Sequence, residues 1–145
     1  MLTIYTNVDW GRSDDKKSTS GATFFLGECL VAWHSKKQDC VTLSTCESEY
    51  VAATTSCTQL IWMDYQLFDL GIQISKPISI MCDNMSAIQL SKNPVMHSRT
   101  KHVAIKLHFL RDKVQNNEFQ LVYVPTQGQV ADILQRHYQE NYLNS

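Results

Sequence analysis

Alternating apolar and polar positions open the chain. Over residues 2–9 every second side chain is suited to burial, which predicts a strand whose polar face ends in Asn7 and Asp9. Two further stretches, GATFFLG at 21–27 and CLVAWHSKK at 29–37, have the composition of strands and are separated by a short turn. Together these three stretches predict an antiparallel meander.

A repeat of three and four residues then replaces the alternation and predicts a long helix. Ser44 and Glu47 have the spacing of an N-terminal capping box, and Gly71 stands where such a helix would end. Glu49 falls in the first turns, near the positive end of the helix dipole. The apolar face predicted for this helix consists of Tyr50, Ala53, Cys57, Leu60, Met63 and Leu67.

The second half of the chain alternates between strands and helices. An apolar strand at 77–82 runs directly into Asp83, and the short helix that follows is predicted to end at Pro94. Another helix is expected after Thr100, and alternation over 119–124 predicts a fifth strand.

A second capping box, Thr126 with Gln129, predicts a last helix that carries Asp132. The predicted order of elements is therefore βββ, α, β, αα, β, α. This order indicates an α/β fold with a five-stranded mixed sheet, in which three antiparallel strands precede helix-connected strands and helices cover both faces.

Composition limits the classes of function. The chain has 145 residues and a net charge of −1, so we expect one domain without the basic surplus of a free-standing nucleic-acid binder. Its five cysteines lack the spacing of a zinc site and predict reduced, mostly buried thiols in an intracellular protein. The absence of a long apolar run predicts no membrane span.

Polar side chains occur at the ends of the predicted elements, where residues distant in sequence can converge above one sheet. They are Asn7, Glu49, Asp83 and Asp132, three carboxylates and one amide. Carboxylates in such a cluster can hold divalent metal ions. Each also has an ordinary alternative: Glu49 as a solvated first-turn acid, Asp83 as a helix N-cap, and Asp132 as an early helical acid.

Five longer stretches carry a resemblance to a known family. They are DDKKSTSGATFFLG at 14–27, VAWHSKKQ at 31–38, LSTCESEYVAA at 43–53, MCDNMSAIQLSKNPVMHSRTKHV at 81–103 and YVPTQGQVADIL at 123–134. In this order they resemble the ribonuclease H domain of copia-type retrotransposon Pol polyproteins. The resemblance predicts a ribonuclease H-like domain over residues 1–136 and a divergent tail over 137–145.

The resemblance implies two-metal hydrolysis of the RNA strand of RNA/DNA hybrids during reverse transcription. It assigns Asn7, Glu49, Asp83 and Asp132 to two Mg²⁺ ions, for which Mn²⁺ could substitute, with Asp9 as a further candidate ligand. The family carries Asp where Asn7 stands. A charge pair at about 4 Å is worth about 4 kcal/mol at an effective dielectric near 20, so the missing charge could lower the rate about a thousandfold.

We therefore expect cleavage by this copy to be impaired or absent. Asn7 could reflect decay of a transposon copy, a deliberate substitution or a tolerated change, and the first two predict an inactive site. The competing hypothesis is a module that binds hybrid or protein without cutting. A third, an integrase-like nuclease, would use Asp83 and Glu118, which stand at nearly the spacing of those enzymes.

The expected partners are an RNA/DNA hybrid and the reverse transcriptase domain of the same polyprotein. We expect the isolated domain to be monomeric and to act in a cytoplasmic retrotransposon particle or in the nucleus. The residues predicted to contact nucleic acid are Lys16, Lys17, Ser18, Lys36, Lys37, Asn84, Arg99 and Lys101. Alternatively, Lys16 and Lys17 only offset Asp14 and Asp15 on a solvated turn.

Overall fold

Five strands and three helices make up the described part of the chain. The computed structural model describes residues 1–9, 15–39, 41–42, 44–92 and 101–125, with only the backbone of 101–103. The elements are β1 (Leu2–Asp9), β2 (Thr19–Leu26), β3 (Cys29–Lys37), α1 (Thr45–Asp69), β4 (Ile78–Cys82), α2 (Met85–Lys92), α3 (Lys101–Gln115) and β5 (Phe119–Tyr123). Their order confirms the predicted order as far as β5.

Several predictions fall outside the described residues. The last helix and its capping box lie there, as do Pro94 and the tail at 137–145. The boundary between domain and tail and the covering of the second sheet face by that helix therefore stay predictions.

The sheet is mixed, with the strand order β3-β2-β1-β4-β5. The pairs β1–β2 and β2–β3 are antiparallel, whereas β1–β4 and β4–β5 are parallel. A parallel pair brings the carboxyl ends of both strands to the same edge of the sheet. Residues at the ends of β1 and β4 therefore share one edge.

Helix α1 packs against the sheet through the predicted apolar face. Tyr50, Ala53, Cys57 and Leu60 of this face are fully buried, and Met63 and Leu67 are half-buried. The hydroxyl of Tyr50 donates a hydrogen bond of 3.1 Å to the backbone oxygen of Leu107, which joins α1 to α3. Burial on this face thus holds the N-terminal half of α1 in place.

Both ends of α1 follow the sequence signals. The Ser44 hydroxyl accepts a hydrogen bond of 3.1 Å from the backbone N–H of Glu47. Gly71 has a φ of +81°, and the N–H of Ile72 bonds back to the oxygen of Leu67 at 2.8 Å. These contacts satisfy backbone groups that a helix end leaves without partners.

The described cysteines divide into two groups. Cys57 and Cys82 are buried thiols, whereas Cys29 is exposed and Cys46 is half-buried. The expectation of mostly buried thiols is therefore correct for the first pair only. None of the described helices has the length and apolar character needed to cross a membrane.

Candidate active site

The candidate site lies at the sheet edge where β1 and β4 end. Ile4 of β1 is paired with Ile80 of β4, and this register, continued three residues along each strand, places Asn7 level with Asp83. Neighbouring strands are about 4.8 Å apart. Two predicted site residues are thus brought side by side although 76 positions separate them in sequence.

Glu49 joins this edge from the first turns of α1. Its carboxyl group hydrogen-bonds with Asp83 and accepts a hydrogen bond from the backbone N–H of Val8, the residue after Asn7. Ligand atoms of Glu49, Cys82 and Asp83 all lie within 4.8 Å of one another. Glu49 is only 6% exposed, so the alternative of a solvated first-turn acid is wrong.

Asp83 does not act as the N-cap of α2. The neighbouring Asn84 takes that position: its side-chain oxygen accepts a hydrogen bond of 3.0 Å from the N–H of Ala87, and its backbone oxygen accepts one from Ile88. Asp83 instead bonds with Glu49. The Asn84 side chain, proposed from sequence as a nucleic-acid contact, has its oxygen engaged in this cap.

The two carboxyl groups share a poorly solvated space. Burial first, then the negative charge of Asp83 and the hydrogen bond to Asp83, together raise the pKa of Glu49 to about 9, and the hydrogen bond from the N–H of Val8 acts in the opposite direction. Glu49 is therefore protonated at neutral pH. Its buried Oε2 atom has no hydrogen-bond partner among the described residues.

The Cys82 thiol is a member of this cluster that sequence reasoning missed. Its sulfur lies 3.8 Å from the backbone oxygen of Asn84, and burial raises the pKa of the thiol to about 12. A neutral thiol is a poor ligand for a hard cation, which prefers oxygen. Its position directly before Asp83 at the end of a strand was the only signal in the sequence.

The remaining candidate ligands differ in their placement. Asn7 is 8% exposed and is paired with Gly21 of β2, so its amide belongs to the buried edge. Asp9 ends β1 two residues later and is half-buried. Asp132 lies outside the described residues.

The basic candidates surround the turn before β2 and the end of β3. Lys16 and Lys36 are exposed, whereas Lys37 forms an ion pair of 2.5 Å with Asp15. Asp15 also accepts a hydrogen bond of 3.2 Å from the backbone N–H of Lys17. The carboxylate of Asp15 therefore contacts both Lys37 of β3 and the backbone of its own turn.

Of the three other basic or polar candidates, only Ser18 has a described side chain. Ser18 is fully buried, which removes its hydroxyl from any surface that nucleic acid could reach. Arg99 lies outside the described residues, and the side chain of Lys101 is not described.

The spatial relation of Asp83 to Glu118 contradicts an integrase-like site. Ile78 is paired with Phe119, so Glu118 precedes the start of β5 while Asp83 follows the end of the parallel strand β4. Six residue steps at about 3.3 Å each separate their levels by roughly 20 Å. Glu118 instead forms an ion pair of 3.0 Å with Lys113.

The chain is similar to segments of plant transposon polyproteins. It is 43% identical over 134 residues to the retrovirus-related Pol polyprotein from transposon RE2 of Arabidopsis thaliana, covering 92% of this chain and 9% of that protein. It is 38% identical over 135 residues to the corresponding polyprotein from transposon TNT 1-94 of Nicotiana tabacum, with 92% of this chain and 10% of that protein covered. The chain thus spans about a tenth of the relatives that it matches. A scan against protein-family models returned no match.

Solved structures show the same fold. LC11-RNase H1, isolated from compost, superposes with a TM-score of 0.70 at 16% identity, covering 98% of this chain and 97% of that one. The foamy viral protease-reverse transcriptase in complex with RNA/DNA hybrid gives 0.62 at 18% identity, covering 98% of this chain and 18% of that one. The chain therefore has a ribonuclease H-like fold and is similar, over 92% of its length, to a segment of plant transposon Pol polyproteins.

Proposed function

We propose that the chain is a metal-dependent nuclease module that cuts the RNA strand of RNA/DNA hybrids, and that Asn7 leaves this copy impaired or inactive. The observation that carries the proposal is the hydrogen-bonded pair of Glu49 and Asp83 at the edge that Asn7 shares. Similarity of fold alone does not indicate the reaction, whereas this pair of carboxyl groups supports metal-dependent hydrolysis.

The residues present fit a divalent cation. Two carboxyl groups lie together, and the buried Oε2 of Glu49 has no partner among the described residues. Asn7, Glu49 and Asp83 would hold Mg²⁺, or Mn²⁺ in its place, with Asp9 and Asp132 as further candidates. When bound, a pair of such ions supplies an activated water and neutralises charge on the leaving oxygen.

The side chains of this site would have separate tasks. Glu49 would bind the cation as a carboxylate, so binding would release the proton that burial and Asp83 now hold on it. Asp83 would orient its carboxylate through the same contact. Asn7 would offer one neutral oxygen, which lowers the negative charge of the site by one unit and weakens its hold on cations.

The proposed partners follow from the relatives. A related fold was solved with an RNA/DNA hybrid bound, and it was part of a chain that also contains a reverse transcriptase. We infer that this module acts beside the reverse transcriptase of its own polyprotein, within the cell, and that it is monomeric when isolated. Exposed Lys16 and Lys36 are proposed to contact phosphates of the hybrid.

The second candidate function is a module that binds hybrid or protein without cleavage. The neutral amide of Asn7 at the buried edge favours it, because the site then has fewer negative charges to hold cations. Binding of hybrid without turnover would distinguish this candidate from a nuclease.

The test is cleavage of a labelled RNA/DNA hybrid with Mg²⁺ and with Mn²⁺. It compares the chain as it stands, Asn7→Asp, and Asn7→Asp combined with Asp83→Asn. If Asn7→Asp cuts about a thousandfold faster than the chain as it stands, and the double variant does not cut, the result supports both the location of the site and Asn7 as the cause of its impairment. Equal rates for the first two proteins would refute the role of Asn7, and no cutting by any of them would favour the binding module.

A further inference from the structure

Gln38 joins three parts of the molecule that surround the site. It follows β3 and is 6% exposed, and its Nε2 donates to the hydroxyl of Ser20 at 2.8 Å and to the backbone oxygen of Ser48 at 2.9 Å. Its backbone N–H also donates to the oxygen of Ser18 at 2.7 Å. One amide thus bridges β2 and the first turn of α1.

The orientation of this amide is determined by its partners. The backbone oxygen of Ser48 can only accept, so the amide nitrogen must face it. Among the described residues, the Oε1 atom of Gln38 has no hydrogen-bond partner. The two donated bonds are therefore the contacts through which this buried side chain orients its neighbours.

These contacts form a closed path that includes the site. Ser48 immediately precedes Glu49, and Glu49 accepts a hydrogen bond from the N–H of Val8. Val8 is paired with Ser20 in the β1–β2 ladder, and Ser20 accepts from Gln38. A shift of α1 along the sheet would break this path at Gln38 or at Val8.

We propose that Gln38 is a positioning residue that sets the distance of Glu49 from the edge formed by β1 and β4. This inference rests on the proposed function, since it gives Glu49 a role in holding a cation. A displaced Glu49 would lose its contact with Asp83 and Val8, and a small displacement in a catalytic site can cost about a hundredfold in rate.

The test uses Gln38→Met, which keeps the length of the side chain and removes both donated bonds. The first readout is the amide shift of Val8 in ¹⁵N NMR spectra of the metal-free chain, because that N–H reports on Glu49. The second is Mn²⁺ affinity by calorimetry, and kcat and KM for hybrid, all in the Asn7→Asp background.

A control variant, Thr54→Val, and a milder variant, Ser20→Ala, separate positioning from stability. Thr54 is a buried residue of α1 whose hydroxyl donates to the backbone oxygens of Tyr50 and Lys106. Thr54→Val removes these hydrogen bonds without touching the contacts of the carboxyl pair. Ser20→Ala removes only one of the two bonds made by Gln38 and leaves the bond to Ser48. It also replaces Gln38→Met in every measurement if that variant fails to fold.

We expect Gln38→Met to move the Val8 amide shift, to weaken Mn²⁺ binding about tenfold and to lower kcat about ten- to a hundredfold. KM for hybrid should stay within about twofold, because contacts to nucleic acid are unchanged. Ser20→Ala should give a smaller change in the same direction, and Thr54→Val none beyond its loss of stability.

Two different failures can be told apart. If Asn7→Asp cuts no hybrid, the proposed function fails, and the Val8 shift with Mn²⁺ affinity still decides the role of Gln38. If Gln38→Met leaves the Val8 shift where Thr54→Val leaves it, the positioning role is overturned whatever the activity.

Discussion

The two ends of helix α1 have opposite surroundings. At the N-terminal end Ser48, Glu49 and Tyr50 are all buried, although two of them are polar. At the C-terminal end Tyr65 is 66% exposed and Phe68 is 62% exposed, although both are aromatic. At the two ends of this helix, burial therefore does not follow the polarity of the residues.

The cause is the difference in length between the helix and the sheet. At 1.5 Å per residue, the 25 residues of α1 extend about 37 Å. The 8 residues of β1 extend about 26 Å at 3.3 Å each. The helix therefore extends beyond the sheet at its C-terminal end, whereas its first turns lie against the edge that carries the site.

The largest effect that should separate the two ends is on the free energy of unfolding. Tyr50→Ala should lower it by about 3–5 kcal/mol, because it empties a fully buried site and removes the hydrogen bond to Leu107. Tyr65→Ala is the matched control and should cost under about 1 kcal/mol. Urea unfolding measures both, and equal losses would contradict the difference between the ends.

A pH-dependent effect is expected at the N-terminal end only. The pKa of Glu49 is raised to about 9 in the folded chain, so the stability from its bound proton is complete below its ordinary pKa of 4.5 and is lost as pH rises toward 9. Gln at this position has no proton to lose. Without metal, Glu49→Gln should therefore gain about 1–3 kcal/mol relative to the parent between pH 5 and pH 8.

Urea unfolding in chelator at both pH values measures this gain. A constant difference between parent and variant over the range would show that Glu49 does not hold its proton in the folded chain. Saturating Mn²⁺ should reduce the gain in the Asn7→Asp background, since the carboxylate would then have a cation beside it.

The cap that begins α1 should contribute less than the buried tyrosine. Ser44→Ala should lower the free energy of unfolding by about 1 kcal/mol, because the N–H of Glu47 loses its acceptor. Ser44→Asp retains an acceptor and should stay within about 0.5 kcal/mol of the parent. An equal loss in the two variants would mean that the hydroxyl is needed for another contact.

The smallest effect is expected where α1 extends past the sheet. Phe68→Ser should change the free energy of unfolding by under about 0.5 kcal/mol, because the ring is mainly in solvent. Thermal unfolding at several concentrations measures this change. A loss above about 2 kcal/mol would show that the C-terminal end of α1 is covered in solution.

Local signals accounted for most of the fold. Ser44, Gly71 and the alternating strands were identified from sequence because caps and periodicity depend on residues close together in the chain. The hairpin turn and the order of elements up to β5 followed from the same patterns. The alternative roles of Glu49 and Asp83 stayed open, because they depend on neighbours from other elements.

The structure resolved those alternatives through long-range contacts. Asn84 rather than Asp83 caps α2, and Asp83 instead contacts Glu49. The sequence signalled the contribution of Cys82 to the cluster only through its position before Asp83, and it did not signal the bridge made by Gln38. Each joins residues from different elements.

The sequence by itself determined which segments become strands and helices and which residues resemble those of a ribonuclease H domain. The tertiary structure decided that Asn7 lies level with Asp83, that Glu49 is buried with a raised pKa, and that α1 is exposed at its far end. The physical reason is that periodicity acts over a few residues, whereas a pKa depends on the charges and solvent that folding brings near a group.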